Sequence, residues 1–115
     1  MWSSENLIKP ATLQALQKII QQKNEIAGLE REIQTRKAQI TSIDQDQQRL
    51  RENMKALKGS PEEKALLQRY TKELNDQEDK LQAVRAEIAT REQQRDKSRE
   101  QLDKMMQELT LDETM

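Results

Sequence analysis

The sequence lacks cysteine, histidine and phenylalanine, and its 115 residues include one tryptophan and one tyrosine. Without cysteine there can be no disulfide, thiol nucleophile or zinc–thiolate site, and without histidine the commonest general base and metal ligand is missing. Aromatic residues make up 2% of the chain, whereas compact domains of this length usually build their cores around them. The composition therefore argues against a β-sandwich, a β-barrel or a compact α/β domain.

Long hydrophobic runs, basic excess and active-site motifs are also missing. No run of apolar residues is long enough for a membrane span, and the first residues do not have the pattern of a secretory signal. Lys and Arg total 20 against 21 Asp and Glu, whereas nucleic-acid binders usually show a basic excess or stripe. The chain has no Gly-rich phosphate loop, nucleophile–base pair or metal-ligand spacing. We therefore expect no enzyme activity, no cofactor, and neither nucleic acid nor membrane as a partner.

Gly and Pro cluster at one place, which predicts a turn between two helices. Gly59 suits the left-handed position that ends a helix, Ser60 suits an N-cap, and Pro61 suits the first helical position. Glu63 stands where a capping-box glutamate would, and Pro10 can begin the first helix. The predicted segments are an N-terminal linker at 1–9, helix 1 at 10–58, a turn at 59–60, helix 2 at 61–109 and a C-terminal tail at 110–115.

Polarity of this degree is also typical of disorder, but the apolar residues recur with heptad spacing. In helix 1 they occupy a positions Ile19, Ile26, Ile33, Ile40 and Met54, and d positions Leu29, Ile43, Leu50 and Leu57. In helix 2 they occupy a positions Leu67, Leu74, Leu81, Ile88, Leu102 and Leu109, and d positions Tyr70, Val84 and Met105. Two such helices joined by a short turn predict an all-α fold, a long antiparallel two-helix coiled-coil hairpin.

The register of this hairpin follows from placing Leu57 opposite Leu67. Gln47 then lies opposite Gln77, and we expect the two amides to hydrogen-bond in a polar core layer. The flanking positions place opposite charges together and predict four interhelix ion pairs, Arg51–Glu78, Asp44–Arg85, Lys37–Glu92 and Glu30–Arg99. Exposed pairs of this kind contribute tenths of a kcal/mol each, but together they favour one orientation.

Two regions depart from the heptad pattern and form a candidate interaction patch. Helix 2 has no large apolar residue between 89 and 101, where Arg91, Arg95 and Ser98 face helix 1. Either the arginine stems cover the facing residues, or those residues meet a helix from a partner or a second copy. At the open end, apolar residues lie outside the seam, where either the segment containing Trp2 folds back over them or another domain or copy docks. The patch comprises Leu13, Leu16, Ile20, Met106, Ile26, Leu29 and Ile33.

Several short runs carry a family resemblance. They are Asp46-Gln47-Gln48-Arg49-Leu50-Arg51-Glu52-Asn53-Met54, Arg69-Tyr70, Leu74-Asn75 and Gln77-Glu78, with Ile8-Lys9-Pro10-Ala11 and Ala15-Leu16 at the start. The chain resembles the C-terminal coiled-coil hairpin of bacterial conserved proteins of unknown function, in which a β-rich domain precedes the hairpin. The resemblance implies no established activity. It implies that the chain is a terminal segment whose open end adjoins a β-rich domain of the parent protein.

The leading functional interpretation is a non-enzymatic structural or interaction module, a hairpin arm for spacing, docking or self-association. The alternative is a partner-binding or client-binding, chaperone-like arm that uses the tip or the weak mid-seam, an analogy of architecture only. An RNA-binding arm is disfavoured by the near-zero net charge. No residue is predicted to be catalytic, to bind a cofactor or to bind a metal.

Overall fold

The computed structural model describes the backbone of residues 9–114 and the side chains of residues 9–110. It contains two α-helices, α1 (Pro10–Lys55) and α2 (Pro61–Thr114), and the described residues include no strand. Arg36 contacts Glu87 and Gln47 contacts Glu78, so an earlier residue of α1 meets a later residue of α2 and the helices run antiparallel. The predicted all-α helical hairpin is therefore confirmed.

The helix boundaries differ from the prediction at three places. α1 ends at Lys55 rather than at 58. The next two backbone N–H groups donate to the carbonyl three residues earlier, from Ala56 to Asn53 at 3.3 Å and from Leu57 to Met54 at 3.2 Å. This tightened last turn is a common helix ending. The connection consequently covers 56–60 instead of 59–60, and α2 continues to Thr114 instead of ending at 109.

The turn is held by a reciprocal set of hydrogen bonds around Glu63. Its backbone N–H donates to Ser60 Oγ at 3.2 Å, and its carboxylate accepts from the backbone N–H groups of Ser60, at 3.2 Å, and Lys58, at 2.5 Å. Gly59 lies between them with φ at 91°, a left-handed conformation that glycine adopts without strain. The hydrogen bond from Lys58, followed by those from Ser60, holds the pKa of Glu63 below its usual value. The predicted capping box thus forms, and an ionised carboxylate stabilises it.

The hairpin divides into two compact units. The turn unit is Glu32–Thr90, and the base unit comprises residues 9–31 and 91–114 of the described chain. Within the turn unit, Ile33, Val84 and Ile88 form a buried cluster against which Ile40 packs. The base unit is more thinly packed, because its buried hydrophobic side chains are Ile19 and Ile26, both on α1.

All buried hydrophobic side chains of the described residues lie at predicted a or d positions. They are Ile19, Ile26, Ile33, Leu50, Leu81, Val84 and Ile88. The core is therefore one seam thick, which explains how a chain with so few aromatic residues folds. Leu50 and Leu81 are fully buried, and the turn unit holds five of these seven residues. Hydrophobic stabilisation, which follows the apolar area removed from water, is concentrated there.

Neither helix contains, within its described residues, a stretch long and apolar enough to cross a membrane. The predicted linker at 1–9 falls outside the described residues except for Lys9, as do Trp2, Leu7 and Ile8.

Candidate functional site

The polar layer of the turn unit is built by four residues, Asp46 and Gln47 on α1 and Gln77 and Glu78 on α2. Gln47 is buried, with 3% of its surface exposed. Its amide Nε2 donates to Glu78 Oε1 at 3.0 Å, and the amide Nε2 of Gln77 donates to Asp46 Oδ2 at 2.5 Å. Each amide of the layer thus reaches a carboxylate beside the opposite glutamine.

The prediction that Gln47 and Gln77 hydrogen-bond to each other is therefore wrong, although both residues occupy the predicted layer. A carboxylate is a stronger acceptor than an amide oxygen, and the flanking positions place one within reach of each glutamine. This arrangement leaves Gln77 Oε1 buried without a hydrogen-bond partner among the described residues. The layer consequently contains one unsatisfied acceptor.

Asp46 joins this layer to the surface of α1. Arg49 Nε donates to Asp46 Oδ1 at 2.9 Å, one turn along the same helix. The hydrogen bond from Arg49, and then the one from Gln77, lowers the pKa of Asp46 below its usual value. An open surface depression of about 440 Å³ adjoins these groups and is lined by Ser42, Ile43, Gln45, Asp46, Arg49 and Gln77. The polar layer therefore contains ionised carboxylates, and its hydrogen bonds join side chains of the two helices or of one helix turn.

The structure brings together one of the four predicted interhelix ion pairs, Glu30 with Arg99. The Arg51–Glu78 pair is absent from the described residues, and Glu78 accepts a hydrogen bond from Gln47 instead.

The Asp44–Arg85 pair is likewise absent from the part of the chain that the structure describes, since exposed charges in water gain little from holding one geometry. Lys37–Glu92 stays a prediction. An ion pair that the heptad analysis missed joins Arg36 Nε to Glu87 Oε2 at 2.8 Å.

The base unit has its own polar contact across the helices. Gln22, at a d position, donates from Nε2 to the backbone carbonyl of Ser98 at 2.9 Å and to Gln101 Oε1 at 3.1 Å. A small residue at 98 leaves the α2 backbone accessible to a long amide side chain. The predicted register places Leu102 opposite Gln22 and Ser98 opposite Ile26, so heptad numbering alone does not single out this contact.

The mid-seam part of the candidate interaction patch is largely covered. Ile33 is 1% exposed and packs against Val84 and Ile88 within the turn unit, and Ile26 is 8% exposed in the base unit. Leu29 is half-buried. Of the two alternatives for the mid-seam, burial within the hairpin therefore holds for Ile26 and Ile33, and the alternative that these two side chains meet a helix from a partner is wrong.

The remaining members of the patch form what we call the base face: Leu13, Leu16, Ile20 and Met106. Leu13 is 48% exposed, Ile20 57% and Met106 45%, and Leu16 is half-buried. Heptad numbering assigns these residues to b and e positions, which lie on the same side of an antiparallel pair. They therefore make up an apolar surface on the base unit.

Among the described residues, one more large hydrophobic side chain is exposed, Leu67, at 39%. The heptad spacing predicts a seam position for it, opposite Leu57. Because α1 ends at Lys55, no helical turn lies at that position to cover it.

The described residues contain no group of three or more acidic side chains arranged to hold a metal ion. The two carboxyl groups with lowered pKa, Asp46 and Glu63, serve the polar layer and the turn. No protein-family model, curated protein or solved structure matches the chain.

Proposed function

We propose that the chain is a non-enzymatic structural and interaction module, a coiled-coil hairpin arm that docks onto a protein through its base face. The docking partner is another protein domain or a second copy of the chain. The β-rich domain implied by the family resemblance is one such domain. Neither nucleic acid, nor membrane, nor a cofactor takes part in this function.

The observation that carries the proposal is the base face. Leu13, Ile20 and Met106 expose about half of their surface on one side of the base unit. Residues 10–22 contain one charged side chain, Lys18, in a chain that is 36% charged. The centres of protein interfaces are depleted of charge in the same way. Burial of such an apolar, weakly charged surface against a protein partner is favoured over its exposure to water.

The polar contacts along the seam support the proposal that the chain is an arm with a defined register. In the turn unit Gln47 and Gln77 bind carboxylates across the helices, and in the base unit Gln22 binds the α2 backbone at Ser98. A polar residue at a seam position costs stability but disfavours slipped registers, because a slip would strand it in an apolar layer. A fixed register holds the base face in one arrangement.

Site-specific photocrosslinking in cells tests the docking. A benzophenone amino acid at Gln17, between Leu13 and Ile20 on α1, is compared with the same group at Lys72, an exposed residue of the turn unit. We expect protein adducts at Gln17 and few at Lys72, and an adduct of twice the chain mass would identify a second copy. Equal yields at both positions, or none at Gln17, would remove the base face as a docking surface.

The second candidate is a client-binding arm that uses the tip, and the exposure of Leu67 favours it. Placing the benzophenone at Lys64, one helical turn before Leu67, separates the two functions. Adducts at Lys64 that exceed those at Gln17 would favour the client-binding arm.

A further inference from the structure

The base face is the centre of a second periodic stripe on α1. Lys9, Leu13, Leu16, Ile20 and Lys23 follow one another at spacings of four, three, four and three residues. The backbone N–H of Leu13 donates to the carbonyl of Lys9 at 2.9 Å, so the helical hydrogen bonding includes Lys9. Helices pack along coiled-coil seams with this spacing. At about 100° per residue it keeps the five residues on one side of the helix, about 100° around from the seam that contacts α2.

The middle of the stripe is apolar and accessible. Leu13 is 48% exposed, Ile20 is 57% exposed and Leu16 is half-buried. These three residues cover two helical turns, about 10 Å along the axis, and Met106 of α2 adds to the same side. An apolar stripe with helical periodicity is typical of a surface on which another amphipathic helix packs.

Both ends of the stripe are cationic. Lys9 and Lys23 are exposed, and the ion pairs among the described residues include neither of them. The two residues lie about 21 Å apart along the helix axis. α1 contains no Asp or Glu before Glu25, whereas the α2 charges next to the base face, Asp103 and Lys104, have opposite signs. The positive charge that borders the base face therefore comes from α1.

This charge pattern disfavours a second copy as the occupant. Two copies that packed antiparallel about Leu16 would place Lys9 of one against Lys23 of the other at both ends of the stripe. Parallel copies would place each lysine against its own counterpart. Like charges that face each other across an interface oppose binding. A partner with carboxylates at these two places would form ion pairs instead.

We propose that the occupant of the base face is an acidic amphipathic helix of a different protein or domain. Its apolar residues, at the same spacing of three and four, pack on Leu13, Leu16 and Ile20. Its carboxylates bind the ammonium groups of Lys9 and Lys23. The acidic helix deepens the proposed docking function, on which it rests, by giving the chemistry of the partner.

Charge reversal combined with the benzophenone at Gln17 tests this chemistry in cells. Lys9→Glu/Lys23→Glu reverses both ends of the stripe, and a glutamate at the helix start is compatible with folding. Lys18→Glu/Lys104→Glu is the matched control, because it changes the net charge equally at g and c positions, on the opposite side of the same unit. We expect the first variant to lose about five-fold or more of the Gln17 adducts, and the control less than about two-fold.

Mass spectrometry of the Gln17 adduct identifies the segment that the base face contacts. We expect a helical segment that is not part of this chain, with apolar residues at spacings of three and four and with Asp or Glu on both sides of them. Circular dichroism verifies helix content in each variant. Lys9→Gln/Lys23→Gln, which removes the charges without reversing them, should lose about two-fold of the adducts and tests the proposal even if the reversed variant unfolds.

Four results would overturn the acidic helix. An undiminished adduct yield in Lys9→Glu/Lys23→Glu, or an equal loss in the control, would do so and leave the docking function intact. An adduct of twice the chain mass would do so by identifying a second copy. Absence of adducts at Gln17 in the parent chain would remove the docking function itself, and the acidic helix with it.

Discussion

Replacing Gln77 with leucine probes the unsatisfied acceptor of the polar layer. The substitution removes Oε1, whose burial without a partner costs about 1–3 kcal/mol. It also removes the hydrogen bond from Nε2 to Asp46, which contributes about 1.5–3 kcal/mol when the acceptor is charged, but Asp46 keeps Arg49 and is reached by water. Leucine at this half-buried seam position adds about 1–2 kcal/mol of apolar burial. We therefore expect Gln77→Leu to raise the free energy of unfolding by about 1 kcal/mol.

Urea denaturation followed by circular dichroism measures this change. Leu67→Gln, outside the layer in the same unit, provides a control for general effects of surface polarity. The double variant Gln47→Leu/Gln77→Leu should be still more stable but should populate slipped or associated forms, visible as mass heterogeneity in sedimentation, because nothing polar then marks the register. A Gln77→Leu variant less stable than the parent by 1 kcal/mol or more would refute the reasoning and make the layer a net source of stability.

Three further outcomes follow from the packing, the backbone and the turn. Leu50→Ala, at a fully buried seam residue, should lower the free energy of unfolding by about 2–5 kcal/mol in urea, whereas Leu67→Ala should change it by less than about 1 kcal/mol. Gly28→Ala should raise it by about 1 kcal/mol, since an added Cβ would meet only the Arg31 guanidinium at 3.7 Å; a loss would contradict this. Because the folded pKa of Glu63 lies below 4.5, its carboxylate stabilises the chain above pH 4.5, and this contribution disappears as pH falls through the folded pKa. The difference in free energy of unfolding between the parent chain and Glu63→Gln should therefore vanish in acid. A difference that does not change with pH would exclude a stabilising role for the ionised carboxylate.

The sequence was sufficient to predict the hairpin because its signals are local and periodic. Gly59, Ser60 and Glu63 define the turn by backbone chemistry that needs no tertiary context. Heptad spacing then identifies the buried residues, and the seven buried hydrophobics of the described chain lie at those positions. Such periodicity depends on helix geometry alone and is easily read from residue types.

What the sequence could not supply was the choice among competing partners. Heptad arithmetic places Gln47 and Gln77 in one layer, but it does not tell whether an amide turns toward the other amide or toward a flanking carboxylate. The same limit applies to Glu78, for which Arg51 and Gln47 compete. The exposure of Leu67 follows from where α1 ends, and helix ends are set by a balance of weak contacts that residue counting does not resolve.

The uneven core has a mechanical consequence. Five of the seven buried hydrophobics belong to the turn unit, and its polar contacts across the helices join residues 31 to 51 positions apart. The polar contacts of the base unit join residues 69 to 79 positions apart. They therefore close longer loops, at a higher entropic cost, and have fewer buried side chains beside them. Tension that pulls the two helices apart at the base would therefore separate the base unit first and meet higher resistance at the buried cluster of Ile33, Val84 and Ile88 in the turn unit. Such a hairpin yields gradually at low force and refolds from its turn when the tension is released.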